Sequence, residues 1–498
     1  MTPAQPQHAR DAIRAAIAAG RAGEAEPMAR ALTIGAPSPE AFELLSLALR
    51  AQGKADKALA AAEDGLRLDL GNVRLAHARG LALTELGRNE EALRTFDSLA
   101  RRGLEQPPVW LSRGVALLNL ARDADAEAMF ADGVRRWPQD QGLHHGLASV
   151  RWMRGQGAAF TRDFEAAVAR NPDALHLRIA CADMLRRADF RERAEALLRE
   201  GLRRAPQQPA LMMSLAVLLD EMDRTAEGLP LLEQAAVQAP DNAQVSAQHT
   251  ALLLRLGRGD EALKAIVAAR TLEPLNQEWI CYETMALRQL GDPRYHELCD
   301  YDAMVRPFEL PVPPGYRDIA AFNEAFAASL NQLHVLATHP LDQSLRHGSQ
   351  TTRSLLQLND PVVQSYFKAL DEPIRAYMGL MQNPDHPWSG RKTGEYRIAG
   401  AWSVKLKANG YHINHLHPQG WISSAYYVHV PKAVAEAPGQ QGWIKFGEPR
   451  WPTPGCSVEK IVQPRAGLLV LFPSYMWHGT IPFAEGERMT APIDVVPA

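Results

Sequence analysis

Apolar residues recur at three- and four-residue spacing from about residue 10 to residue 300, the signature of amphipathic helices, and the pattern breaks at regular intervals. The breaks fall on Gly53, Gly87, Ala121, Gly155, Asp189, Asp223, Gly257 and Gly291, each 34 residues after the last. A second set, Pro138, Pro172, Pro206, Pro240 and Pro274, keeps the same step, and proline there ends one helix and opens the next turn. Ala58, Ala92, Ala126, Ala194 and Ala262 each follow a break by five residues, where closely packed helices leave room for nothing larger. Two helices per 34 residues are predicted. Each pair exposes an apolar face that only its neighbour covers, so the pairs stack into an α-solenoid with a concave groove. Trp110, Trp137, Trp152 and Arg178 are candidates for that groove, but aromatics at helical spacing more often pack in a core, and they receive no role.

The period ends after Gly291, and the next stretch, PFELPVPPGY (Pro307 to Tyr316), carries four prolines in ten residues, which predicts a stiff linker. Helical spacing returns in DIAAFNEAFAASLNQLHVL and DPVVQSYFKALDEPIRAYMGLM, with the polar, irregular THPLDQSLRHGSQTT between them. From about residue 395 the texture changes to short β-branched and aromatic runs (WSVKLK, WISSAYYVHV, GWIKFG, GLLVLF, RMTAPIDVV) that predict strands of a sandwich or barrel. The predicted organisation is a solenoid over 1–300, a Pro-rich linker over 301–317, a helical part over 318–394 and a β core over 395–498. The fold class is α + β multidomain.

Composition narrows the function classes. The chain has 498 residues, 22% charged and 46% hydrophobic, which suits several globular domains and excludes a disordered or collagen-like chain. Basic residues number 54 and acidic residues 57, so no excess positive charge drives binding to nucleic acid or an anionic membrane. Cys181, Cys281, Cys299 and Cys456 lie far apart without a CxxC, which argues against a disulfide framework and suits a reducing compartment. Asp11 and Arg14 interrupt any signal-peptide core, and no apolar run reaches about 18 residues, so a cytoplasmic location is expected.

The chemistry concentrates in the β half. YHINHLHPQGW supplies His412, His415 and His417, and FPSYMWHGT supplies His478. Residues two apart on extended chain share a side, so His415 and His417 can converge on one metal with His478 as a third imidazole, leaving positions open for substrate. A solvated His-rich turn is the bland alternative for an isolated HxH. Ten residues after His478 comes Arg488, with Thr490 on the same strand face, a pairing suited to clamping a carboxylate.

The 34-residue helical repeat resembles the tetratricopeptide repeat over about residues 10 to 300, and repeats of that kind imply a peptide- or protein-binding groove; dimerisation through the solenoid or pure scaffolding is the alternative. The segments HPLDQSLRHGSQT (His339 to Thr351), HLHPQGWISSAYYVHVP (His415 to Pro431) and GLLVLFPSYMWHGTIPF followed by ERMT (Gly467 to Thr490) resemble the 2-oxoglutarate- and Fe(II)-dependent oxygenases that follow tetratricopeptide repeats in bacterial proteins. That resemblance implies a double-stranded β-helix (jelly roll), Fe(II) as metal and 2-oxoglutarate as cosubstrate. It makes His415 and His478 iron ligands, Arg488 the anchor of the distal carboxylate, Thr490 its helper, and Tyr427 a further contact to that carboxylate. His417 departs from the pattern, because the wider family has Asp or Glu there. Either His417 ligates iron in a three-histidine site or it stands behind the ligands while water or another carboxylate fills the place. His412 is read as a neighbour of the ligands or a surface residue. His339, Arg346 and Gln350 are candidates for a wall of the substrate pocket, Trp402 and Lys405 for facing the cosubstrate, and Trp477 for the core.

The activity implied is hydroxylation of a side chain in a peptide or protein held by the solenoid, with 2-oxoglutarate converted to succinate and CO2. Two rivals remain open: a three-histidine thiol-type dioxygenase that uses no 2-oxo acid, and a non-catalytic repeat adaptor with a degenerate barrel.

Overall fold

The computed structural model describes residues 4–18, 21–104, 106–334, 341, 343–351, 353–436 and 439–498; His339 lies outside the described residues. The chain divides into two compact units, Met1–Arg151 and Trp152–Ala498.

The first unit is helical throughout, its helices following one another in antiparallel pairs such as Pro39–Ala51 with Ala55–Leu68, and Pro107–Asn119 with Asp123–Arg136. Ala58, Ala92 and Ala126 are fully buried where the helices meet. Trp110 is buried edge-on to Trp137 at 5.5 Å between ring centroids, with Arg113 and Arg136 over its faces, which makes it a packing residue.

Helix pairing continues in the second unit through Leu175–Arg187, Arg191–Arg204, Pro209–Glu221, Thr225–Gln238, Ala243–Arg255, Gly259–Leu272 and Gln277–Leu290. All eight break residues of the 34-residue period have left-handed backbone, with φ between 55° at Ala121 and 79° at Gly155. That conformation closes each helix and turns the chain into the next one. Arg178, expected to be unassigned, is buried and donates to the Leu197 and Pro172 carbonyls.

Eleven strands follow among the described residues: β1 (Arg306–Glu309), β2 (Leu345–Gln350), β3 (Tyr396–Ala401), β4 (Val404–His412), β5 (Ile422–His429), β6 (Ile444–Phe446), β7 (Lys460–Val462), β8 (Leu468–Pro473), β9 (His478–Thr480), β10 (Arg488–Thr490) and β11 (Ile493–Pro497). They form two antiparallel sheets. The larger runs β1-β8-β5-β10-β4-β2, with β11 joining β5 to β3, and the smaller runs β7-β6-β9.

Two segments differ from the sequence-based expectation. The Pro-rich stretch assigned to a linker over 301–317 contributes β1, paired with Leu468–Leu471 of β8. Pro307 is compatible with this because β1 is an edge strand, where one face of the backbone needs no ladder partner. The polar stretch after His339, expected as a loop within a helical part, contributes β2 at the opposite edge. Its register slips at His347, whose φ of 53° makes a bulge. One apolar core extends from Met212 and Leu254 in the repeats to Phe322, Tyr426, Leu471 and Val495. The unit boundary at 151/152 therefore falls within the repeat array, away from the prolines, because the last repeats share that core with the sheets.

The segment 447–459 runs across the ends of successive repeat helices. Gln289 donates to the Pro454 carbonyl at 3.1 Å, Arg288 to the Ser457 carbonyl at 2.8 Å, and Arg255 to the Pro452 carbonyl. No helix among the described residues is long and apolar enough to cross a membrane.

Ala121 is the one break residue that is neither Gly nor Asp, so its Cβ bears the cost of the left-handed conformation. Ala121→Gly is expected to stabilise the protein by about 1 kcal/mol. Urea unfolding followed by circular dichroism checks this; a lowered midpoint would contradict it.

Candidate metal centre and active site

Strand β4 ends at His412, and the turn beyond it is pinned by Asn414. The buried Asn414 amide donates to the Pro449 carbonyl and the Glu448 carboxylate, both at 2.9 Å. A Cβ at Gly479 would lie 2.1 Å from the Asn414 side-chain oxygen, so only glycine fits after His478. This close approach lets His415 and His478 exchange backbone hydrogen bonds of 2.9 and 3.0 Å, and the His417 N–H reaches the Ser474 carbonyl at 3.0 Å.

The three imidazoles converge as a result. Ring centroids are 4.2 Å apart for His415 and His478, and 5.1 Å for each of the other two pairs. Their ligand-capable nitrogens all lie within 4.8 Å of one another. Every Nδ1 has an acceptor: the Ile413 carbonyl at 2.8 Å for His415, the Met476 carbonyl at 3.0 Å for His478, and the Asp494 carboxylate at 2.7 Å for His417. Such acceptors place the proton on Nδ1 and leave the three Nε2 lone pairs for a metal. Burial, and secondarily the His417 imidazole, pushes His415 down to about 3, and burial holds His478 and His412 well below the usual histidine range. Neutral imidazole is the form that ligates. His412 bonds the Ser344 hydroxyl through Nδ1 at 2.9 Å, and that hydroxyl is 3.4 Å from His415 Nε2.

Arg488 enters from β10, only 2% exposed. Its guanidinium donates to the Gly442 carbonyl and to the Thr480 hydroxyl at 3.2 Å. The buried Nε bonds nothing, and no carboxylate among the described residues lies within salt-bridge range. Burial lowers its pKa, opposed only by Tyr427, whose ring centroid is 5.7 Å away. Thr490 stands opposite Tyr427 in the sheet, both are buried, and burial raises the Tyr427 phenol to about 12.

One cavity of about 690 Å³ joins these groups, bringing together His415, His417, His478, Arg488, Thr490 and Tyr427. His412, Arg346, Gln350 and Trp402 also line it, with Trp402 stacked on His417 at 5.9 Å. Lys405, expected to face the cosubstrate, instead bonds Asn331 outside the cavity at 3.0 Å, because its side chain lies on the other face of β4. Trp477 packs half-buried on the core and donates to the Met285 sulfur.

Sequence reasoning missed Asp494, whose second oxygen accepts from Ser423 at 2.8 Å, and Thr480, the partner of Arg488. Asp494 left a signal as the acidic residue in the otherwise apolar run IDVV. Arg450, supplied by the segment 447–459, left none.

A family model described as "Putative 2OG-Fe(II) oxygenase" matches residues 400–494, and one described as "Tetratricopeptide repeat" matches residues 77–141. The repeat region and the oxygenase-type domain are thus both present, and the latter supports an oxygenase function. No curated protein matches the chain. Among solved structures, a tetratricopeptide repeat protein from Parabacteroides merdae is 18% identical, with 50% of this chain and 98% of that one covered and a TM-score of 0.33. The viral collagen prolyl hydroxylase of Paramecium bursaria Chlorella virus-1, in its 2-oxoglutarate complex, is 12% identical, with 39% and 97% covered and a TM-score of 0.27.

Because His415 binds a proton less readily when folded, the unfolded chain holds more protons below pH 6.5. Stability of the metal-free protein is full above about pH 6.5 and falls as the pH drops toward about 3. Thermal unfolding at pH 7.5 and pH 5 checks this: the melting temperature should drop at pH 5, and by less in His415→Asn.

Proposed function

We propose that this protein is an Fe(II)- and 2-oxoglutarate-dependent oxygenase that hydroxylates a side chain of a peptide or protein engaged by its repeats. One observation carries the reading: a single cavity holds three converging histidines whose Nδ1 atoms are all engaged by acceptors, and a buried arginine that lacks an acidic partner among the described residues. The two sheets are read as the double-stranded β-helix of that family.

The residues fit the groups that the reading requires. His415, His417 and His478 would hold the metal, their tautomers set by the acceptors at Nδ1. An uncompensated buried guanidinium is costly, and a carboxylate delivered to Arg488 offsets that cost, which makes the far end of a dicarboxylic 2-oxo acid a suitable ligand. Thr490 and Tyr427 would flank that carboxylate. Iron would supply the centre at which dioxygen, the oxidant, takes two electrons from the 2-oxo acid as it becomes succinate and CO2 and two from the substrate C–H bond that is hydroxylated. The chain's own part is orientation and shielding. Trp402 stacks on His417, and Phe472 lies 4.6 Å from the His478 ring, so apolar surface limits water around the imidazoles. Asp494 behind His417 supplies the negative charge that the family usually places on a ligand atom.

Anaerobic titration of the metal-free protein with Fe(II) and then 2-oxoglutarate tests the reading. The visible charge-transfer band of a chelated 2-oxo acid is expected in the wild type and absent in His478→Ala. Arg488→Ala is expected to retain iron while weakening 2-oxoglutarate by about 100-fold, the scale of a lost buried charge pair. Iron bound without the band would point to a three-histidine dioxygenase that takes no 2-oxo acid. Absence of iron binding would overturn the metal assignment.

A further inference from the structure

The cavity carries more positive charge than the reaction above uses. Besides Arg488, Arg186, Arg187, Arg346, Arg353 and Arg450 line it, and among the described residues the only carboxylate in its lining is that of Asp494, already bonded to His417 and Ser423. Arg186 and Arg187 are balanced: both pair with Asp183, at 2.6 and 2.7 Å, and Arg186 also pairs with Glu221. The others are not. Arg450 lies 3.7 Å from the same Glu221 oxygen that Arg186 occupies. Among the described residues Arg346 donates to the backbone carbonyls of Gln343 and Leu345, at 3.0 and 2.8 Å, and has no carboxylate within salt-bridge range. Arg353 likewise has no acidic partner among them, and its buried Nε bonds nothing. Arg346 is half-buried, and burial lowers its pKa, the mark of a cation without full compensation, while Arg450 stands at the exposed rim, its side chain 37% exposed.

Position adds to charge. Arg186, Arg187, Arg346 and Arg450 also line a second cavity of about 680 Å³, so they form the wall that the two cavities share. The β-bulge at His347 adjoins Arg346, and bulges re-aim the side chains beside them. Two adjoining cavities of this size exceed the need of one small metabolite and suit several residues of extended chain. The second cavity interleaves Asp189, Glu221 and Glu448 with its basic residues, which would repel the continuous charge of a phosphodiester backbone but leaves room for isolated carboxylates.

We propose that the substrate is an acidic polypeptide segment, with an Asp or Glu side-chain carboxylate bound by Arg346 and Arg450 while the neighbouring residue enters the histidine-lined cavity. This rests on the oxygenase reading for the reaction, but the binding does not depend on it. Bidentate arginine–carboxylate pairing gives both register and specificity, so the reacting carbon is placed by a charge next to it in sequence.

The test uses full-length, metal-free protein and fluorescence anisotropy of a labelled peptide of alternating Glu and Ala. Binding that weakens with salt is expected, with at least tenfold lower affinity for the Gln/Ala peptide and for the Arg346→Gln/Arg450→Gln variant. Recovery in Arg346→Lys/Arg450→Lys, together with an unchanged circular dichroism melt, separates lost charge from lost folding. Equal binding of the two peptides, or undiminished binding by the Gln variant, would overturn the proposal. So would stronger, arginine-dependent binding of a single-stranded oligothymidylate or displacement of the peptide by millimolar inorganic phosphate. The charge-transfer titration is read separately: band present with peptide binding absent overturns this inference alone, and peptide binding present with the band absent overturns the oxygenase reading alone.

Discussion

The paired backbone hydrogen bonds between His415 and His478 are the interaction on which the site depends. They tie the turn after β4, in the larger sheet, to β9 of the smaller one, so the two sheets meet at the histidines themselves. Asn414 and Gly479 make this approach feasible, the first by bonding outward to Glu448 and Pro449, the second by having no side chain to displace. Arg488 crosses the same gap from β10 to Thr480 and the Gly442 carbonyl. The convergence of the imidazoles and the packing of the sheets are therefore one problem. A change that separates the sheets also spreads the imidazoles.

Charge balance gives the His417 substitution a physical account. A carboxylate at that position would bring one negative charge directly onto a metal, whereas the imidazole brings none. Asp494 stands 2.7 Å from the far ring nitrogen, and its other oxygen is held by Ser423, so the negative charge is displaced outward by one ring. A carboxylate in that place makes the imidazole a stronger donor while keeping its tautomer fixed. On the proposed reading, the charge that a carboxylate ligand would supply is relocated along the Asp494–His417 pair, which would suit a hard cation better than three isolated imidazoles.

Where a pattern repeats or a motif is local, the sequence was legible; where pairing is long-range, it was not. The 34-residue period located eight left-handed residues, because a helix-ending turn requires one wherever it recurs, but not Gly103, which lies off the period. The HxH and the Arg-x-Thr were visible because residues two apart on extended chain share a face, and those residues do line one cavity. Proline density misled: Pro307 and its neighbours read as a linker, yet an edge strand accepts proline on its free side. Polar composition misled similarly at Leu345–Gln350, whose Arg346 and Gln350 are polar because they face a cavity. Asp494 and Arg450 act through partners 77 and 229 residues away, and no local pattern announces such pairs.

The repeats reach the chemistry through the same periodicity that builds them. Arg186, Glu221, Arg255 and Gln289 fall near the ends of the first helix in four successive repeats, one step of the period apart to within a residue. Glu221 binds Arg186 and lies beside Arg450, while Arg255 and Gln289 bind the Pro452 and Pro454 carbonyls. Segment 447–459 thus takes up the helix ends of these repeats with part of this chain, so a substrate cannot use those same donors. On the proposed reading, what remains to a substrate is the charge at the edge of that contact, where Arg450 of the segment lines the cavity. If the proposal holds, the repeats contribute less as an open groove than as the rigid support that holds an arginine beside the histidine-lined cavity, and rigidity is what a positioning charge requires.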